Sequence, residues 1–150
     1  MAEQVKALVT VSGQFGMGEF WYPCWYRPRK GNLLSMLNYK WGAFPPLISK
    51  RDRHDILQYK GPVYAKTLWT VQTWTDANLA KAGKIEVPFN LTMASKDKVV
   101  SPARNRQFFD SVASKEKVKH EFNVGHEILA NEEINLKVIQ SQIAWLSDKL

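Results

Sequence analysis

The chain is poor in cysteine: Cys24 stands alone among 150 residues. That excludes an internal disulfide and any cysteine-rich zinc site. No uninterrupted apolar run is long enough to cross a bilayer, so at most peripheral membrane contact is expected. The first residues carry an acid early, Glu3, and show no A-x-A-like processing site. A secretory signal is therefore not expected, and the expected setting is cytoplasmic. Also missing is a nucleophile elbow of the G-x-S-x-G type. No serine has glycine two positions away on both sides; Ser12 is flanked at that spacing by Thr10 and Gln14, and Cys24 by Tyr22 and Tyr26. There is no internal repeat, no low-complexity tract and no nucleic-acid-binding signature. The formal charge of +7 comes from scattered lysines and arginines, including Lys115, Lys117 and Lys119. Such charge speaks to solubility and nonspecific association, and no nucleic-acid partner is expected.

What is present suits one globular domain with a real core: 45% hydrophobic and 23% charged residues. Val5–Val11 is β-branched and apolar and reads as a buried parallel strand. The following stretch holds the aromatic cluster Phe20, Trp21, Tyr22, Trp25 and Tyr26. Leu33–Tyr39 reads as a short helix that Trp41–Pro46 breaks, and Val63–Ala82 as a long helix stopped by Gly83. Phe89–Ala94 reads as a second strand. Ser101-Pro102 is a helix start, serine as N-cap and proline in the first turn, with the helix running to about Ala113. Val118–Phe122 reads as a third strand. Asn131 is the expected N-cap of a last helix whose apolar face, Ile134, Val138, Ile139, Ile143, Leu146 and Leu150, is expected to pack in the core. This alternation argues for an α/β fold: a three-stranded parallel sheet with covering helices.

In such sheets function collects at the carboxyl ends of the strands. Two ionisable residues fall there. Asp97 follows the strand Phe89–Ala94, and His126 follows the strand Val118–Phe122. An acid that orients an imidazole makes up two thirds of a nucleophile–base–acid triad. Each has an ordinary alternative: aspartate is common in turns because it bonds turn backbone, and histidine is common in loops. His120 and His54 read as structural or solvated. Glu127 reads as a solvated acid beside a helix, and Ser12 as a turn residue. The aromatic run Phe20–Tyr26 either lines an apolar pocket or fills the core beneath a loop.

The segment KIEVPFNLTMASKDKVVSPARNRQFFDSV resembles the acid-bearing segment of monoacylglycerol lipase and lysophospholipase-like α/β-hydrolases, the serine aminopeptidase-type family. Its D-x-V-V-x-P step begins at Asp97. EFNVGHEILANEE resembles the family's histidine segment, an H-E-[LI]-L run before the final helix, and VKALVTVSGQFG resembles the strand after the nucleophile helix. The resemblance implies a partial α/β-hydrolase fold, the C-terminal half, in one domain over 1–150. It makes 16–82 a helical cap-like insertion and 83–150 the acid and histidine strand–helix units. It makes Asp97 the triad acid, His126 the triad base, and Phe20, Trp21 and Trp25 candidates for an acyl pocket. The implied reaction is hydrolysis of a monoacylglycerol or lysophospholipid ester, with no metal and no organic cofactor. The family's oxyanion loop and serine elbow would precede Val5, so the isolated chain is expected to be inactive. The expected partners are a complementary chain holding the other half, or a second copy joined through the Val5–Val11 edge. The competing class is a noncatalytic interaction or scaffold protein derived from a hydrolase.

Overall fold

The computed structural model describes residues 5–11, 43–44, 63–126, 128–130 and 132–149. In chain order the elements are β1 (Leu8–Val11), β2 (Ala43–Phe44), β3 (Val63–Tyr64), α1 (Ala65–Lys81), β4 (Phe89–Ala94), α2 (Pro102–Ser111), β5 (Lys117–Phe122) and α3 (Glu132–Ser147). Short 3₁₀ turns cover Ala82–Lys84 and Ile128–Ala130. Two compact units result. One joins Met1–Trp21 to Thr75–Leu150; the other is Tyr22–Trp74. In the second unit β2 and β3 pair antiparallel, Ala43 opposite Tyr64 and Phe44 opposite Val63. The long helix expected from Val63 starts at Ala65, and β2 lies within the expected break at Trp41–Pro46; the expected helix Leu33–Tyr39 lies outside the described residues. A two-residue strand is too short to show a period of two.

The first unit is built on a parallel sheet of order β1-β4-β5. Leu8 pairs with Phe89 on one side of β4, and Phe89 with Lys117 on the other. β1 is shorter than the expected Val5–Val11, because Val5 is 64% exposed and outside the ladder. β4 is buried along its whole length. Successive side chains of a strand point to opposite faces, so its two faces differ. Phe89, Leu91 and Met93 form an apolar core with Ala82, Phe108 and Val112, flanked by Leu8, Leu79, Ile85 and Phe109. Phe108 meets the Phe89 ring edge-on, centroids 6.0 Å apart. Each such side chain contributes about 1.5–3 kcal/mol by leaving water.

The opposite face of β4 carries Asn90 and Thr92, both fully buried, and here α3 supplies Gln142. The Gln142 Nε2–H donates to Thr92 Oγ1 and to Asn90 Oδ1. Asn90 Nδ2 and Gln142 Oε1 have no hydrogen-bond partner among the described residues. A buried hydrogen bond is worth about 1 kcal/mol net, while an unmet buried polar atom costs about 1–3 kcal/mol. The cluster therefore adds little stability, and an apolar set of the same shape would hold α3 as tightly.

The expected apolar face of α3 is corrected in part. Val138 is buried and Ile134 and Leu146 are half-buried, but Ile139 and Ile143 are 46% and 59% exposed, as is Leu136 at 62%; Leu150 lies outside the described residues. Gln142 takes a central place on the sheet-facing side, beside Val138 and between Ile134 and Leu146.

Both ends of α2 are tied. The Ser101 Oγ accepts from the Arg104 N–H at 3.3 Å, as the N-cap pattern predicts. At the other end Lys117 of β5 donates from Nζ to the carbonyls of Phe109, Asp110 and Val112, at 3.0, 3.1 and 2.8 Å. A cation on the last carbonyls complements the helix dipole, and the helix stops at Ser111 rather than Ala113. No helix among the described residues is long and apolar enough to cross a membrane.

Candidate active site

The turn after β4 explains the D-x-V-V-x-P pattern physically. Asp97 Oδ1 accepts from the backbone N–H of Val99 at 2.8 Å and of Val100 at 2.9 Å. Val100 is buried and anchors the turn. Ser101 then caps α2, and Pro102 occupies its first turn. One carboxylate oxygen is thus held by the local turn, and the carboxylate is aimed before any partner arrives.

The second oxygen, Oδ2, lies 2.9 Å from His126 Nδ1. The Asp97 side chain is 5% exposed and the His126 ring 43%. An ionised carboxylate only accepts, so this bond places the ring proton on Nδ1. Nε2 is left as the acceptor on the more accessible ring. That is the orientation a general base needs.

Backbone bonds lash the two strand tips together. The N–H of Ser95 donates to Phe122 O at 2.8 Å, and that of Lys96 to Val124 O at 3.0 Å. The Ser95 hydroxyl also donates to Asn123 Oδ1 at 3.4 Å. Beyond the ring, the Ile128 N–H donates to His126 O at 2.9 Å, and Ile128 is buried. Twenty-nine residues separate Asp97 from His126, and parallel pairing of β4 with β5 brings them together.

Asp97 and His126, read from sequence as acid and base, are therefore in contact. His120 lies on β5 opposite Thr92, half-buried and apart from the pair in the ladder. Ser12, Phe20, Trp21, Cys24, Trp25, His54 and Glu127 lie outside the described residues. The residues that sequence reading missed are the donors Val99 and Val100 and the cross-tip pair Ser95 and Asn123. The D-x-V-V spacing could have found the first two, since aspartate bonds turn backbone two and three residues on. A cleft of about 470 Å³ lined by Glu86, Pro88, Ser114 and Glu116 lies at the amino ends of β4 and β5, the wrong end of the sheet for this chemistry. No group of three potential metal-ligating side chains is found among the described residues.

The sheet order, the strand-tip acid and the histidine after the next strand coincide with a family match. The family model "Serine aminopeptidase, S33" fits residues 3–133. The chain belongs to the S33 serine aminopeptidase family. The fold agrees with solved members of the lipase class. The monoacylglycerol lipase of Paleococcus ferrophilus superposes with a TM-score of 0.73 at 17% identity, over 99% of this chain and 61% of that one. One solved chain from the pair of metagenome-derived lipolytic enzymes LipS and LipT gives 0.63 at 15%, over 97% and 56%. A soluble variant of the Saccharomyces cerevisiae monoglyceride lipase gives 0.62 at 12%, over 79% and 47%. The chain thus spans less than two thirds of the length of each of these solved chains. No curated protein matches it. The three parallel strands and their helices are a partial α/β-hydrolase fold.

Proposed function

We propose that this chain carries the general base and the orienting acid of a serine ester hydrolase, acting on a monoacylglycerol or lysophospholipid. One observation carries the reading: the 2.9 Å bond from Asp97 Oδ2 to His126 Nδ1, with Asp97 Oδ1 already held by two backbone N–H groups. The serine and the oxyanion donors come from residues outside these 150, since no serine here sits in a glycine-flanked elbow.

In this mechanism His126 Nε2 takes the serine hydroxyl proton as the oxygen attacks the ester carbonyl. The imidazolium then protonates the departing glycerol oxygen, leaving an acyl-serine. Water attacks the acyl-serine, gives its proton to Nε2, and the fatty acid leaves as serine regains its proton. Asp97 holds Nδ1–H throughout and stabilises the imidazolium without being protonated itself. No metal or organic cofactor is needed for any of these steps.

The edge of β1 supports a place for the complement. Leu8–Val11 reads LVTV, without a charge, and no described strand pairs with its outer side. β5 at the other edge carries Lys117, Lys119 and Glu121, the charged residues that blunt an edge. The segment bearing the nucleophile pairs with β1 as a strand, either as part of a longer polypeptide or as a second chain.

The test uses a fluorophosphonate probe, which labels only an activated serine, and an aryl butyrate ester. The 150-residue chain alone is expected to give no labelling and no hydrolysis above buffer. Joined to its nucleophile-bearing segment it is expected to do both, and His126→Ala then abolishes both. Hydrolysis by the chain alone that disappears in His126→Ala would show that the nucleophile is already here.

A further inference from the structure

The buried polar cluster between α3 and β4 adds little to stability, which poses the question of what it does. The path of backbone and hydrogen bonds from Gln142 back to the site is short. Gln142 ties α3 to Asn90 and Thr92 on β4. At the start of the same helix the Asn135 Nδ2–H donates to Leu129 O at 3.0 Å. Leu129 belongs to the 3₁₀ turn Ile128–Ala130, which directly follows the histidine loop. Within that turn the buried Ile128 donates its N–H to the His126 carbonyl. In the other direction β4 runs from Asn90 and Thr92 through Ala94 to the Asp97 turn. His126 and Asp97 are therefore the two jaws of one frame, and Gln142 and Asn135 are the fastenings on the histidine side.

An apolar contact between a helix and a sheet is non-directional and tolerates sliding. A hydrogen bond does not, because it weakens steeply with distance and angle. Gln142 reaches two acceptors two residues apart on the same strand face, so it sets both the height and the rotation of α3 over β4. Gln142 sits among Ile134, Val138 and Leu146 on the sheet-facing side of α3, and it is the residue there whose contacts with β4 are directional. The His126 side chain is 43% exposed, so little packing holds the ring itself in place. An imidazole so open to water keeps its partner through the placement of its loop, not through burial.

We propose that Gln142 and Asn135 are positioning residues: they fix α3 against β4 and so hold His126 within hydrogen-bond reach of Asp97. The proposal rests on the reading of Asp97 and His126 as an acid–base pair and adds the residues that keep that pair assembled. Neither Gln142 nor Asn135 touches the reacting atoms.

The readout is the tautomer of His126, from ¹⁵N shifts of its ring in the full chain at pH 8, assigned against His126→Ala. Bonded to Asp97 the ring carries its proton on Nδ1; free in water a neutral imidazole favours Nε2–H. The wild-type chain is expected to show the Nδ1–H form. Gln142→Leu keeps volume and removes the amide. It is expected to melt within a few degrees of wild type, with unchanged far-ultraviolet circular dichroism, while the Nδ1–H share falls at least twofold. Asn135→Ala is expected to do the same. Thr92→Val, which deprives Gln142 of one acceptor in a nearly isosteric site, is expected to give an intermediate share and decides the matter if Gln142→Leu does not fold. Folded variants that retain the wild-type tautomer overturn the positioning role and leave the Asp97–His126 pair standing. A wild-type ring in the Nε2–H form overturns the pair, and the positioning role with it.

Discussion

At the residue scale, the two oxygens of Asp97 do different work, and two substitutions separate them. In Asp97→Asn the retained carbonyl oxygen still accepts from Val99 and Val100, so the turn survives. The amide NH₂ faces the ring and forces the wrong tautomer. The reconstituted enzyme is expected to lose about 10⁴ in kcat, with a melting temperature close to that of the parent. Asp97→Ala removes both functions. It leaves the two turn N–H groups without their acceptor and is expected to cost about 1–3 kcal/mol by chemical denaturation. A melting temperature that falls as far in the asparagine variant as in the alanine variant would contradict this division of labour.

The strands and helices differ in how much of them the sequence discloses. β4 is legible to the residue because its apolar run ends at a polar turn and Pro88 marks its start. α2 is legible at its beginning, where Ser101 and Pro102 announce a cap. Its end is not, because it is set by Lys117, which arrives from another element after folding. The orientation of α3 is legible in part. Periodicity rightly marks Ile134, Val138 and Leu146 as inward, but it gives no sign of Gln142, whose buried partners lie about fifty residues away in sequence. The site was readable as two residues at two strand tips; its backbone lash was not, since main-chain bonds leave no trace in side-chain identity. For α2, Ser101→Ala is expected to cost about 1 kcal/mol. Lys117→Met is expected to cost about 1–2 kcal/mol, since three charge-assisted bonds to carbonyls are lost and only the apolar stem is replaced. Urea denaturation of both variants checks the two values. An unchanged midpoint in Lys117→Met would show that water caps the helix as well as the lysine does.

Across the whole molecule, charge and edge geometry govern behaviour in solution. Glu121 and Arg106 join β5 to α2 through a two-pronged ion pair. The hydrogen bond from Arg106 holds the Glu121 carboxyl below the usual carboxylate range. A depressed carboxyl stabilises the fold above its unfolded pKa and loses that contribution as pH falls through its folded pKa. Melting temperature is therefore expected to drop on acidification below the ordinary carboxylate range, and Glu121→Gln to flatten that drop slightly, since the pair is partly exposed and worth at most about 1 kcal/mol. β1 is the edge through which association is expected. The Leu8 N–H donates inward to Pro88 O, so alternation turns the Val9 N–H outward. Val9→Pro removes that outward donor while sparing the inward ladder. The wild-type chain without its complement is expected to associate with rising concentration in sedimentation velocity, and Val9→Pro to remain monomeric.

The distance along the chain between paired strands has a further, kinetic meaning. β4 meets β5 across one short helix, but β1 meets β4 only after roughly eighty intervening residues have been looped out. That separation predicts that β1 is the last strand of its sheet to zip during folding and the first to open afterwards. Its amide protons should exchange with solvent deuterium through an opening that leaves β4 and β5 protected, and the acid and the base would stay clasped while that edge breathes.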